Sequence, residues 1–142
     1  MTWEVLGLPL HPLVVHAVVV LAPLVTVGLL LAVARPAWAD RLRLVLPGLA
    51  VAAAAAALVA RPSGQWLLAR VPGSPEVARH ASLGDTLPWL LVLTAGLVGA
   101  WAWRDGRGEP SRLLGGLALA ASLLATGWTV AVGHSGAVSV WG

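Results

Sequence analysis

The chain is 142 residues long, 58% hydrophobic and only 11% charged, with a mean hydropathy of +0.86. A water-soluble domain of this length carries roughly a quarter charged residues. The composition therefore removes the polar shell such a fold needs and leaves lipid as the solvent. Cysteine is absent, which excludes disulfides, thiolate metal sites, iron–sulfur clusters and covalently attached haem.

Lysine, tyrosine and phenylalanine are also missing, so every cation is an arginine. The resulting pI of about 11.5 would fit a nucleic-acid binder. Here, however, the arginines sit in short connections between apolar runs, where membrane topology accounts for them. The N-terminus, Met1-Thr2-Trp3-Glu4, is acidic where a secretory signal needs positive charge. The first apolar run also exceeds a signal core, so it is read as a mature helix.

A helix needs about 20 apolar residues to cross the hydrocarbon core, and four spans are expected. The first covers 12–34, with Pro12 suited to a helix start and Pro23 expected to bend it. The second covers 42–60 and holds an alanine run, 52–57, of the kind that lets helices approach closely. The third covers 81–103 but is expected to begin at Pro75, because Ser74-Pro75-Glu76 reads as an N-cap, a proline at N1 and a first-turn acid. The fourth covers 113–133, with Gly115, Gly116 and Gly127 as packing positions. Ser63-Gly64 and Ser135-Gly136 read as turns that follow the second and fourth helices.

No apolar run shows a polar face at 3.6-residue spacing, against a soluble bundle. Nothing alternates with period two over ten residues, against a transmembrane barrel. The expected fold is all-α: a single domain, 1–142, folded as an antiparallel four-helix transmembrane bundle in a polytopic membrane protein. Orientation follows from loop arginines. Arg35, Arg41 and Arg43 join spans 1 and 2, and Arg104, Arg107 and Arg112 join spans 3 and 4. Only Arg61, Arg70 and Arg79 fall in the connection between spans 2 and 3. This places both termini on the extracytoplasmic side of a bacterial inner membrane. Trp38, Trp101 and Trp103 are then expected to anchor the cytoplasmic interface, and Trp3, Trp66, Trp89 and Trp141 the outer one.

The chemistry available to such a chain lies in four histidines. His11 and His16 open helix 1, His80 heads helix 3 and His134 closes helix 4, so the topology gathers all four toward one leaflet. Ionisable groups at membrane depth usually pair or bind something, and neutral imidazole is the commonest metal ligand. His11 and His16 lie five apart, about 140° off a common helix face, so His16 is expected to meet a histidine from another helix. Two chemistries fit. In one, haem b lies between helices with His16 and His80 as axial ligands, and Arg61, Arg70 or Arg79 meets its propionates. In the other, His11, His16, His80 and His134 bind copper, zinc or iron directly, with Asp85 as an oxygen ligand or supporting partner. A structural subunit whose histidines only form hydrogen bonds is the third reading. No nucleophile elbow, carboxylate pair or phosphate loop is present, so no catalytic residue is assigned.

Leu8-Pro9-Leu10-His11-Pro12-Leu13-Val14-Val15-His16 resembles the opening of a bacterial membrane family known as domain of unknown function 2231. Its members typically begin Leu-Pro-x-His-Pro-x-x-Val-His. His80 and Gly133-His134-Ser135-Gly136-Ala137 stand where that family has a histidine before its third span and a glycine-rich end. The chain departs at Ala17, where many members carry an aromatic residue, and at His134, within a segment that often contains Gly-Gly. The resemblance implies four spans. Related domains occur beside Rieske and cytochrome modules, which implies redox work. The combined expectation is a haem- or metal-binding protein of the lipid bilayer that transfers electrons to a redox protein or a quinone. Close packing through Gly115-Gly116 is compatible with a homo-oligomer, and no nucleic-acid partner is expected.

Overall fold

The computed structural model describes residues 3–142, the side chain of Pro36 excepted. A two-stranded antiparallel hairpin, β1 (Glu4–Val5) and β2 (Leu8–Pro9), precedes four long helices. Its turn places Leu6 at φ 52 and Gly7 at φ 79. Two successive positive φ values give the turn a twist that matches the strands. Leu10 N–H then donates to Trp3 O at 2.8 Å, which fastens the hairpin to the helix that follows.

The helices are α1 (Leu10–Ala34), α2 (Pro36–Leu68), α3 (Pro75–Gly106) and α4 (Arg112–Trp141). One extended residue, Arg35 at φ −139 and ψ 106, separates α1 from α2. The proline after it disfavours helical backbone at Arg35 and then suits the start of α2. Ser74 caps α3 by accepting from Val77 N–H at 3.2 Å, so α3 begins at the proline the sequence singled out. Ser111 caps α4 through Leu114 N–H at 3.3 Å.

The helices outrun the apolar spans at the ends near the histidines. α2 continues through Pro62, Ser63 and Gly64 to Leu68, and α4 continues through Ser135 and Gly136 to Trp141. The two Ser-Gly pairs are therefore helical, not turns. Each serine hydroxyl donates back to a carbonyl of its own helix: Ser63 Oγ to Val59 O at 2.9 Å, Ser135 Oγ to Val132 O at 2.8 Å. The cost of glycine in a helix, about 1 kcal/mol, is offset by what packs on it, as described below.

Each helix packs on its sequence neighbours, and α4 closes the ring against α1, so α1 and α3 lie diagonally. The core has two layers. One joins Val18, Ala22, Ala53, Ala57, Leu87, Leu91 and Ala125. The other joins Val25, Leu29, Leu46, Ala50, Val98, Trp101 and Ala118. Trp101 is thus a core residue and not an interfacial anchor. It is 5% exposed and packs against Gly115, which this contact occupies. Outward, the bundle shows Val20, Leu24, Val27, Leu123, Leu124 and Val130. An apolar exterior of this extent belongs in lipid, and all four helices are long and apolar enough to cross a membrane.

The two hairpins, α1–α2 and α3–α4, are repeats of one another. Registering His11 on His80 pairs Val18 with Leu87, Ala22 with Leu91, Val25 with Thr94, Leu29 with Val98 and Ala32 with Trp101, all of them buried. Registering Gly64 on Gly136 pairs Leu46 with Ala118, Ala50 with Ser122, Ala53 with Ala125, Ala57 with Thr129 and Ser63 with Ser135, again all buried. The repeats run in the same direction, so they are related by a pseudo-two-fold axis along the bundle, an arrangement known from membrane proteins built of parallel repeats.

Candidate functional site

The pseudo-two-fold brings one imidazole from each repeat to the bundle axis. His11, in the first turn of α1, crosses to α2, where its Nδ1 donates to Ala60 O at 2.9 Å. His80, in the second turn of α3, crosses to α4, where its Nδ1 donates to Val132 O at 3.1 Å and lies 3.2 Å from Ser135 Oγ. A carbonyl only accepts, so both bonds fix the proton on Nδ1 and leave Nε2 as an open lone pair. The two ring centroids are 6.3 Å apart with planes at 77°.

Glycine makes both seats possible. A Cβ at Gly64 would stand 2.9 Å from His11 Cε1 and Nδ1, and one at Gly136 would stand 3.0 Å from His80 Cε1. Each glycine lies one helical turn beyond the carbonyl that its imidazole uses. Carbonyl, serine and glycine therefore form the same three-part cradle in both halves: Ala60, Ser63 and Gly64; Val132, Ser135 and Gly136. The serines are buried, and Ser63 Oγ also donates to Ala60 O at 3.0 Å. The sequence signal for this cradle is the recurrence of Ser-Gly at similar distances after His11 and His80, which reads as a turn until the repeat is seen.

The other expected residues take different positions. His16 is exposed, and its Nδ1 donates to Pro12 O of its own helix at 2.6 Å. The histidine that meets His80 is His11. His134 is exposed in the last turns of α4, beside Ala137, Val138 and Trp141. Asp85 accepts from Arg61 Nε at 2.8 Å, a bond that joins α3 to α2. Arg70 lies 3.7 Å above the Trp66 ring and donates to Trp66 O at 2.8 Å. Arg79 is exposed. Among the described residues, no three of His, Cys, Asp and Glu gather into a group that would hold an ion.

Below the pair, the seam between α1 and α4 is pinned by hydroxyls. Thr26 Oγ1 lies 2.6 Å from Ser122 Oγ and 2.8 Å from Thr126 Oγ1, and donates to Ser122 O at 3.1 Å. The seam between α2 and α3 is joined instead by ion pairs: Arg61 with Asp85, and near the opposite end Arg43 Nε with Asp105 at 3.8 Å. Trp128 Nε1 donates to Leu83 O at 2.9 Å and ties α4 to α3.

Fold and site together define a polytopic membrane protein: four apolar helices in a ring, with paired imidazoles at one end. The chain belongs to the DUF2231 family, described as a predicted membrane protein, whose model matches residues 7–142. No curated protein matches the chain, and no solved structure does.

Proposed function

We propose that the protein is a membrane electron carrier that holds a b-type haem through His11 and His80. The observation that carries this reading is the pair of Nδ1-tethered imidazoles 6.3 Å apart. Metal–nitrogen bonds of about 2 Å put facing imidazole nitrogens about 4 Å apart across an ion, and their ring centroids roughly 6 Å apart. A second bond from the non-ligating nitrogen to a backbone carbonyl is the usual support of a metal-bound histidine, and both residues have it. Two protein donors suit an ion that brings its remaining ligands with it. A porphyrin iron does so, whereas bare zinc asks for three or four protein donors. Bis-histidine haem supplies one-electron transfer when bound.

In this reading His11 and His80 hold the iron. Ala60 O and Val132 O fix the imidazole tautomer and raise ligand basicity, and Ser63 and Ser135 hold those carbonyls in place. The small side chains of Ala53, Ala54 and Ala57 leave α2 thin in the core layer beneath the pair. Six arginines at the far end, in the helix termini and connections there, favour the cytoplasm, so the imidazole end is extracytoplasmic, with a quinone or a redox protein as electron partner. The test is an absorption spectrum of protein purified from haem-replete bacterial cells. A Soret band that shifts on reduction is expected. A colourless preparation refutes the haem, and stoichiometric metal without porphyrin replaces it with a bare ion.

A further inference from the structure

The two seams are tied differently, and one of the differences lies at the level of the imidazole pair. Registering the halves equates His16 with Asp85 and Arg61 with Gly133. On the α2–α3 seam, Asp85 and Arg61 form an ion pair at 2.8 Å. On the equivalent α1–α4 seam the same two places hold His16, exposed and hydrogen-bonded only to its own helix, and Gly133, where an added Cβ would meet nothing within 4 Å. Gly127, lower on α4, is equally open. One flank of the site is latched and its counterpart is not.

The packing gives this asymmetry a use. The void at the centre of the core, lined by Ala22, Ala50, Leu91, Thr94, Ser122 and Ala125 among others, has no room for a water molecule. That void lies about three helical turns below the imidazoles, so the packed core bars approach to His11 and His80 from the far end and leaves the helix seams around the pair, and the near end of the bundle, as the routes for a flat ligand. The α2–α3 seam is tied by an ion pair at each end. The α1–α4 seam is tied at mid-depth by Thr26, Ser122 and Thr126. Above that node, about 15 residues of α1, or roughly 22 Å of helix, run free of ion pairs to α4 among the described residues.

We propose that the upper α1–α4 seam, between His16 and Gly133, is the lateral mouth through which a flat, membrane-soluble macrocycle reaches His11 and His80, while the Arg61–Asp85 pair keeps the opposite seam shut. This rests on the haem reading above. The Thr26 node is the hinge point: helix ends above it separate while the lower bundle stays packed. The mouth opens to lipid, so an apolar ring enters without crossing water.

The chain has no cysteine, which permits a direct test. His16→Cys with Gly133→Cys is purified without haem, and the two thiols are joined by a short bifunctional reagent either before or after adding hemin. Joining before addition is expected to stop uptake, whereas joining afterwards leaves the Soret band in place. Arg61→Cys with Asp85→Cys, joined in the same way, is expected to take up hemin whether or not it is bridged. Equal uptake by bridged and unbridged His16/Gly133 protein overturns the mouth and leaves the haem site standing, as does a block at the Arg61/Asp85 seam instead. Failure of the unbridged His16/Gly133 protein to bind hemin, when the unsubstituted protein binds it, refutes the claim that neither residue is needed for the site. Failure of both overturns the haem reading and the mouth with it. A second variant needs no cross-link: His16→Asp with Gly133→Arg copies the opposite ion pair onto this seam and is expected to slow uptake without loss of helicity. Uptake as fast as that of the unsubstituted protein counts against the mouth.

Discussion

Gly64 and Gly136 occupy one and the same place in the two halves of the molecule: each is the floor on which an imidazole from the preceding helix rests. Filling either floor pushes a ring away from its carbonyl. Gly64→Val and Gly136→Val are each expected to destabilise the bundle by about 1–3 kcal/mol, the usual cost of overpacking. Thermal unfolding in detergent, followed by circular dichroism, measures this. Gly96→Ala and Gly99→Ala, where an added Cβ meets nothing within 4 Å, serve as comparisons and are expected to lose nothing.

The four histidines should separate cleanly. If the proposed haem is held by this pair, His11→Ala and His80→Ala are expected to abolish its binding, because each removes one of the two proposed ligands. His16→Ala and His134→Ala, whose side chains are exposed, are expected to retain a full Soret band at equilibrium. Loss of haem in His16→Ala with retention in His11→Ala would reassign the axial pair.

Thr26→Val should loosen the α1–α4 seam. The substitution keeps the side chain's shape but removes the hydroxyl that meets Ser122 and Thr126. Hydrogen bonds between transmembrane helices contribute about 0.6–2 kcal/mol, so a loss of that order is expected in reversible unfolding. Thr94→Val removes a hydroxyl that bonds only within its own helix, to Leu90 O, and should cost less.

Orientation is checked by labelling. Gly73 and Pro110 lie in the exposed connections at opposite ends of the bundle. With the imidazole end outward, Gly73→Cys is expected to react with a membrane-impermeant maleimide in intact cells. Pro110→Cys should react only after the cells are opened. The reverse pattern inverts the topology.

Span number and the Ser74 cap were legible because they rest on local signals: unbroken apolar length, and a capping serine before proline. The histidines' shared end was also legible, since it follows from helix direction alone. The pairing was not. His16 lies farther into the helix than His11, and depth in the membrane by itself favours a ligand role. On the helix, though, His16 faces outward, while His11 lies on the same face as Val18, Ala22 and Val25. The cradle is hidden in the sequence for a different reason. Ser-Gly carries a strong local preference for turns, and only tertiary packing, an imidazole needing an absent Cβ, makes helix the better state at Gly64 and Gly136. Trp101 shows the same override, drawn into the core by the space at Gly115.

Two identical hairpins meeting on a true two-fold would build this imidazole pair equally well, but they would carry the same residues along both of their contacts. Whatever closed one side would close the other, and whatever opened one would open both. Joining the halves in a single polypeptide lifts that constraint: the shared centre keeps its symmetry while Arg61 and Asp85 diverge from Gly133 and His16. A molecule with one door and one wall is something a homodimer of such hairpins cannot be.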